Sequence, residues 1–272
     1  MANAPLTRAG LEELLRFYAE SGVDDALEDA PVDRFAVSEP VRTPAPKPET
    51  PRVMPPAAAP PRTQPAAVPD EAQAAKAREA ARSAATLEEL RDILSGFDGC
   101  NLKFTAKTTV FADGNPDGGI MFIGEAPGRE EDIEGLPFVG RSGQLLDKML
   151  AAIGLDRSRA YIANVIPWRP PGNRTPTPLE TEICRPFIER QIELARPKII
   201  VTLGGPSAKT ILNAQEGVMR LRGSWRVHVT ASGVEIPAMP TLHPAYLLRN
   251  PAHKKLAWRD FLEVKTKLRA LQ

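Results

Sequence analysis

From residue 118 onward the chain alternates, four times over, between a short apolar run and an amphipathic stretch. "GGIMFIG" is followed by "SGQLLDKMLAAIG", and "AYIANVIPW" by "TPLETEICRPFIERQIELA". "PKIIVTLGG" then leads to "PSAKTILN", and "IPAMPTL" to "AHKKLAWRDFLEVKTKLRAL". Short apolar runs bounded by Gly and Pro read as buried strands, and apolar residues recurring at helical spacing read as helices. The alternation predicts an α/β fold: a central, mainly parallel four-stranded sheet flanked by helices. In open sheets of this kind ligands bind beyond the carboxyl ends of the strands. "GEAPGREED" follows the first strand, "PWRPPGNRTPTP" the second, "GGPSA" the third and "HPAYLLR" the fourth. Every unusual segment of the domain therefore falls on one edge of the sheet.

The N-terminal part is different. Residues 1–30 read as a short amphipathic helix carrying Leu11, Leu14, Leu15 and Tyr18. Residues 31–70 hold 12 prolines and few large apolar groups. Such a segment cannot bury enough surface to offset its ordering entropy, and it reads as an extended linker. The first helix is either a frayed end or a docking tag for a protein partner. Residues 71–272 form the compact domain. Residues 1–85 hold 10 Lys/Arg against 13 Asp/Glu, and residues 86–272 hold 25 against 21. The slight basic excess of the domain permits a nucleic-acid partner without demanding one. No apolar run is long enough to span a membrane, and no signal peptide is legible. Two cysteines do not make a secreted disulfide framework. The expected location is the cytoplasm.

Several loop residues bear chemistry, each with a plainer alternative. "GEAPG" at 124–128 is a tight turn, or a loop that presents backbone N–H groups to a ligand. It is neither a P-loop nor a dinucleotide fingerprint. Phe138, in "LPFVGRSG", is a core residue or a stacking platform at the ligand edge. Asn164 interrupts the strand "YIANVI". Its amide caps something locally or reads a base edge through paired hydrogen bonds. His243, before Pro244, is a structural histidine or a catalytic one.

Taken together, "GEAPGREED", "PFVG", Asn164 and "HPAYLLR" resemble the uracil-DNA glycosylase superfamily, closest to its family 4, from about Leu94 to Phe261. The resemblance implies hydrolysis of the N-glycosidic bond of uracil in single- or double-stranded DNA, leaving an abasic site. It implies that Phe138 stacks on the extruded base and that Asn164 pairs with uracil O4 and N3–H, a pattern cytosine cannot match. His243 is expected near O2, where negative charge gathers as uracil leaves. Ala126 and Gly128 complete the uracil-binding set, with backbone N–H groups around Glu125 and Ala126 helping. Expected DNA contacts are Arg141, Ser142, Gly205, Ser207, Tyr246, Leu247, Leu248 and Arg249. Of these, Leu247 or Leu248 is the wedge that fills the vacated stack. Glu125 orients the water, with Glu131 or Asp132 in support, unless all three are acids at a helix start. The best-known branch has an aspartate at position 126 and a bulky aromatic at 128 that blocks a 5-methyl group. Thymine must here be excluded by other means.

Family 4 enzymes usually hold a [4Fe–4S] cluster through four cysteines. The corresponding positions here are Phe97, Cys100, Trp168 and Cys184. Two thiolates remain where four are needed, so the expectation is no cluster and no metal. Another relative traps uracil-DNA covalently through a histidine in an inserted loop, but "RPPGNRTPTP" contains neither histidine nor insertion. A turnover enzyme is therefore favoured over a covalent trap. The alternative reading is a non-catalytic module that binds nucleotides or uracil-DNA. An enzyme for another deaminated base is disfavoured by Asn164.

Overall fold

The computed structural model describes residues 71–271. The expected N-terminal helix and linker, at residues 1–30 and 31–70, fall outside the described residues. The domain opens with α1 (Glu71–Ser83) and α2 (Leu87–Gly96). Thr86 caps α2, its hydroxyl accepting from the Glu89 N–H at 3.1 Å. A single turn, α3 (Leu102–Thr105), leads into the sheet. In chain order follow β1 (Ala112–Gly114), β2 (Ile120–Gly124), α4 (Arg129–Glu134), α5 (Arg141–Ala152) and β3 (Tyr161–Asn164). Then come α6 (Pro178–Ala195), β4 (Ile199–Leu203), α7 (Gly205–Leu212), α8 (Val218–Leu221) and β5 (Arg226–Val229). The chain closes with β6 (Glu235–Thr241), α9 (Pro244–Arg249) and α10 (Lys254–Ala270).

The sheet has six strands in the order β1-β3-β2-β4-β6-β5. The four inner strands are mutually parallel, as the alternating pattern predicts, and the two edges, β1 and β5, run antiparallel. The expected count of four therefore missed the edges. β1 is three residues long and half-exposed, and β5 buries one residue of four. Neither has the unbroken apolar run that marks a strand covered on both faces. Within β2 the pleat sends Met121 and Ile123 to one core and Ile120 and Phe122 to the other. The first core lies under α1, α2 and α6; the second is built with Leu146 and Leu150 of α5 and Phe261 and Val264 of α10.

"HPAYLLR", for which prolines suggest a loop, is helical. Pro244 occupies the first helical position, where its missing N–H costs nothing and its fixed φ suits the turn. His243 is the N-cap, with Nδ1 accepting from the Ala245 N–H at 3.1 Å. Among the described residues no helix is long and apolar enough to cross a membrane.

Candidate functional site

The four inner strands end at Gly124, Asn164, Leu203 and Thr241, and the loops beyond them enclose a cavity of about 540 Å³. Glu125, Ala126, Pro127 and Gly128 form one wall, Phe138 and Asn164 the floor, Gly204 and Gly205 another wall, and His243, Tyr246 and Arg249 the remaining side. One edge of the sheet thus brings together residues from separate stretches of sequence spread between Glu125 and Arg249.

Asn164 sits at the last position of β3, in register with Gly124 of β2, and is 6% exposed. Its Oδ1 is buried with no hydrogen-bond partner. A buried acceptor left unpaired costs about 1–3 kcal/mol. Of the four such side-chain atoms among the described residues, with Asn101 Oδ1, Thr202 Oγ1 and His228 Nε2, this is the one whose residue lines the cavity, where a ligand can supply the donor. Gly124 makes the arrangement possible, because a Cβ there would overlap both Asn164 Oδ1 and the Phe138 ring. Phe138 is 4% exposed and has φ of 55°, a left-handed conformation unfavourable to an aromatic residue. Its ring lies 5.5 Å from that of His243, nearly parallel at 29°.

His243 is pulled down to about 4 by burial and by the nearby charge of Arg249. The imidazole is therefore neutral around pH 7. Since Nδ1 accepts the Ala245 N–H, the proton resides on Nε2, which makes Nε2–H a donor without net charge. Burial raises the carboxyl of Glu125 above its ordinary value.

The acids beside Glu125 are otherwise engaged. Glu131 accepts from the N–H groups of Gly128 at 3.0 Å, Val139 at 3.1 Å and Gly140 at 3.0 Å, tying the "GEAPG" loop to the "PFVG" loop. Asp132 accepts from Lys107 and Thr108 N–H groups at 2.7 and 3.3 Å. Glu131 thus ties two loops together and one oxygen of Asp132 holds the chain before β1, so both acids have structural partners.

The expected DNA-contact residues divide. Ser142 and Gly205 line the cavity, and Arg141, Leu248 and Arg249 border an adjoining groove of about 410 Å³. Ser207 does not belong with them: it is fully buried, and its hydroxyl donates to the Ile123 carbonyl at 2.6 Å. Leu247 is also removed from the surface. It is 1% exposed and packs with Leu242 and Ala257, whereas Leu248 is 36% exposed. Neighbours on a helix point about 100° apart, so only one of the two leucines faces outward. Tyr246 lines the cavity with its hydroxyl 2.7 Å from His253 Nδ1.

Some lining residues carried no assigned role in the sequence. Asn173, Arg174 and Thr175 form part of the wall, and Arg174 is fixed by a two-pronged pair with Glu180 at 2.6 and 2.8 Å. The run "NRTPTP" is legible as an oddity, but not as a wall. Met219, 51% exposed on α8, reaches the rim and has no sequence signal at all.

The positions that correspond to cluster ligands lie in the other core. Cys100 and Cys184 are fully buried free thiols. Phe97 packs edge-on against Phe187 with centroids 5.2 Å apart. Trp168 is fully buried, its indole N–H donating to Thr109 Oγ1 at 3.0 Å. Two thiols and two packed aromatic rings do not fit a four-thiolate cluster. Among the described residues no three His, Cys, Asp or Glu side chains are grouped to hold a metal ion.

Comparison with known proteins agrees with the geometry. A model of the uracil DNA glycosylase superfamily matches residues 111–262. The type-4 uracil-DNA glycosylase of Sulfurisphaera tokodaii is 39% identical over 188 residues, covering 66% of this chain and 84% of that protein. Those of Archaeoglobus fulgidus and Thermotoga maritima are 41% and 40% identical, over 61% and 62% of this chain and 84% and 88% of their own lengths. The matched segment contains every wall of the cavity, and the chain belongs to the uracil DNA glycosylase superfamily.

Proposed function

We propose that this protein is a uracil-DNA glycosylase: it extrudes uracil from single- or double-stranded DNA and hydrolyses the bond between base and sugar. The observation that carries the reading is the unpartnered Oδ1 of Asn164 at the bottom of the cavity. Uracil supplies what that atom lacks. Its N3–H donates to Oδ1, while the amide NH₂ donates to O4. Cytosine has an acceptor at N3 and a donor at C4, so both contacts are lost. A paired contact of this kind is worth about 1–3 kcal/mol of discrimination.

Phe138 receives the face of the base. His243 Nε2–H donates to O2, and the backbone N–H groups around Glu125 and Ala126 add to it. As the glycosidic bond breaks, its electron pair moves onto the uracil ring, and O2 gains charge. A fixed neutral donor strengthens with that charge and so favours the transition state over the bound substrate. Water attacks the sugar carbon from the opposite side and loses a proton to Glu125, whose raised pKa makes it a better base than an exposed carboxylate. Leu248, the outward leucine of α9, fills the gap left in the stack, and Arg249 and Arg141 hold phosphate. The reaction runs without an iron–sulfur cluster, because Phe97 and Trp168 supply by packing what the cluster would supply by cross-linking.

The direct test is an oligonucleotide carrying one uracil, incubated with the protein and then treated with alkali. Cleavage at the uracil, absent from a cytosine or thymine control, is the expected result. A bound but uncleaved oligonucleotide would instead make the protein a binding module. Iron analysis of anaerobically purified protein is expected to find none; four iron atoms per chain would contradict the packing account.

A further inference from the structure

The proposed stacking platform, Phe138, is held in an unfavourable backbone conformation, and something outside the cavity must hold it there. Its φ of 55° belongs to the left-handed region, which an aromatic side chain adopts only when its surroundings impose it. The following N–H groups, of Val139 and Gly140, are taken by Glu131. The carbonyls are taken from the other side. Arg157, in the turn before β3, donates from Nη1 to the Pro137 carbonyl at 3.1 Å and from Nη2 to the Phe138 carbonyl. The same guanidinium is braced by Asp113 of β1 and by Asp147 of α5, the latter through Nε at 2.9 Å. Gly143 completes the fit, since a Cβ there would fall on the Phe138 carbonyl.

We infer that Arg157 is a positioning residue: it holds the Pro137 and Phe138 carbonyls and thereby sets the angle at which the Phe138 ring meets the extruded base. The inference rests on the functional reading above. Arg157 is absent from the cavity lining, so it acts through Phe138 and not on the substrate. Only a planar guanidinium suits the place. It donates along several fixed directions at once, reaching two carbonyls while two carboxylates brace it, whereas an ammonium offers one point charge. If Arg157 served merely to join Asp113 to Asp147, lysine would replace it at little cost, because partly exposed ion pairs contribute little and need no fork.

The test uses the full chain with Arg157→Lys, Arg157→Met, Phe138→Ala and the double variant Arg157→Met/Phe138→Ala. Both Arg157 variants are expected to lower single-turnover excision on the order of 10- to 100-fold, the scale of a small misplacement at a reacting site. Arg157→Lys keeps a charge on the two aspartates, so it is expected to melt near wild type while failing to restore the rate. Affinity for DNA containing the non-cleavable 2′-fluoro-deoxyuridine should fall, and affinity for a tetrahydrofuran abasic analogue should not. With Phe138→Ala already present, removing Arg157 should cost almost nothing more, because both act through one ring. Losses that multiply in the double variant, rescue by lysine, or equal weakening on both DNA analogues would each overturn the inference while leaving a uracil-excising wild type intact. A wild-type protein inert on uracil-DNA would instead overturn the functional reading, and this inference with it.

Discussion

Two regions of the domain treat their polar and strained groups in opposite ways. At the sheet edge, Asn164 Oδ1 is buried without a partner, Phe138 is held left-handed, and a neutral histidine keeps a free donor. In the core beneath α1 and α6, the positions corresponding to cluster ligands are settled internally. Trp168 is buried with its one donor satisfied, Phe97 finds Phe187, and the two thiols are enclosed. Three other buried side-chain atoms, Asn101 Oδ1, Thr202 Oγ1 and His228 Nε2, also lack partners, but their residues line no part of the cavity, so Asn164 is set apart by its place in it. A binding site keeps such groups because its partner arrives later. The contrast separates the half of the molecule shaped for stability from the half shaped for chemistry, and each can be disturbed on its own.

Trp168→Ala attacks the packed half and should have the largest effect. Removing a fully buried indole costs about 3–5 kcal/mol of folding stability, read as an earlier urea midpoint. Excision per folded molecule should stay near wild type at low temperature. His243→Ala attacks the other half. Loss of one donor to developing charge should slow single-turnover excision by about 100- to 1000-fold, while the lost cap of α9 should cost only about 0.5–2 kcal/mol of stability, less than Trp168→Ala. A large change in both halves from either substitution would erase the distinction.

Glu125→Gln should slow excision by about 100-fold at neutral pH and sharpen the comparison through its pH dependence. The base is needed ionised, and burial raises its pKa. Wild-type activity should therefore be full above that raised value and fall as pH drops through it, at a pH above the ordinary value of a glutamate carboxyl. The variant should lack this acid limb. His243 will not confuse the result, since its imidazole stays neutral until about pH 4. Wild-type rates from Glu125→Gln would remove this carboxylate from the reaction. The smallest effect concerns the rim: Leu248→Ala should cost roughly tenfold on duplex substrates and little on single strands, where no stack needs refilling.

How far the sequence foretold this varies with the physics of each part. The inner strands and their loops were legible because continuous apolar runs and Gly/Pro punctuation are strong local signals. The edges β1 and β5 were not, being short and half in water. Pro244 misled because proline breaks a helix everywhere except at its start. Leu247 and Leu248 look interchangeable until the helical turn of α9 sends one inward. Ser207 lies in a loop motif but faces the Ile123 carbonyl, a direction that sequence does not encode. Met219 and Arg157 were invisible for a related reason: their importance comes from tertiary neighbours, not from any pattern around them.

The central claim is that one amide oxygen grips one edge of one base. It is tested most directly by single-turnover excision from matched oligonucleotides carrying uracil or N3-methyluracil at the same position, with wild type and Asn164→Ala. Methylation removes the N3–H that Asn164 Oδ1 is proposed to accept. Wild type should excise uracil about 100-fold faster than the methylated base, and the alanine variant should be slow on both, with the gap closed. Equal wild-type rates on the two bases, or a gap that survives in Asn164→Ala, would contradict the account.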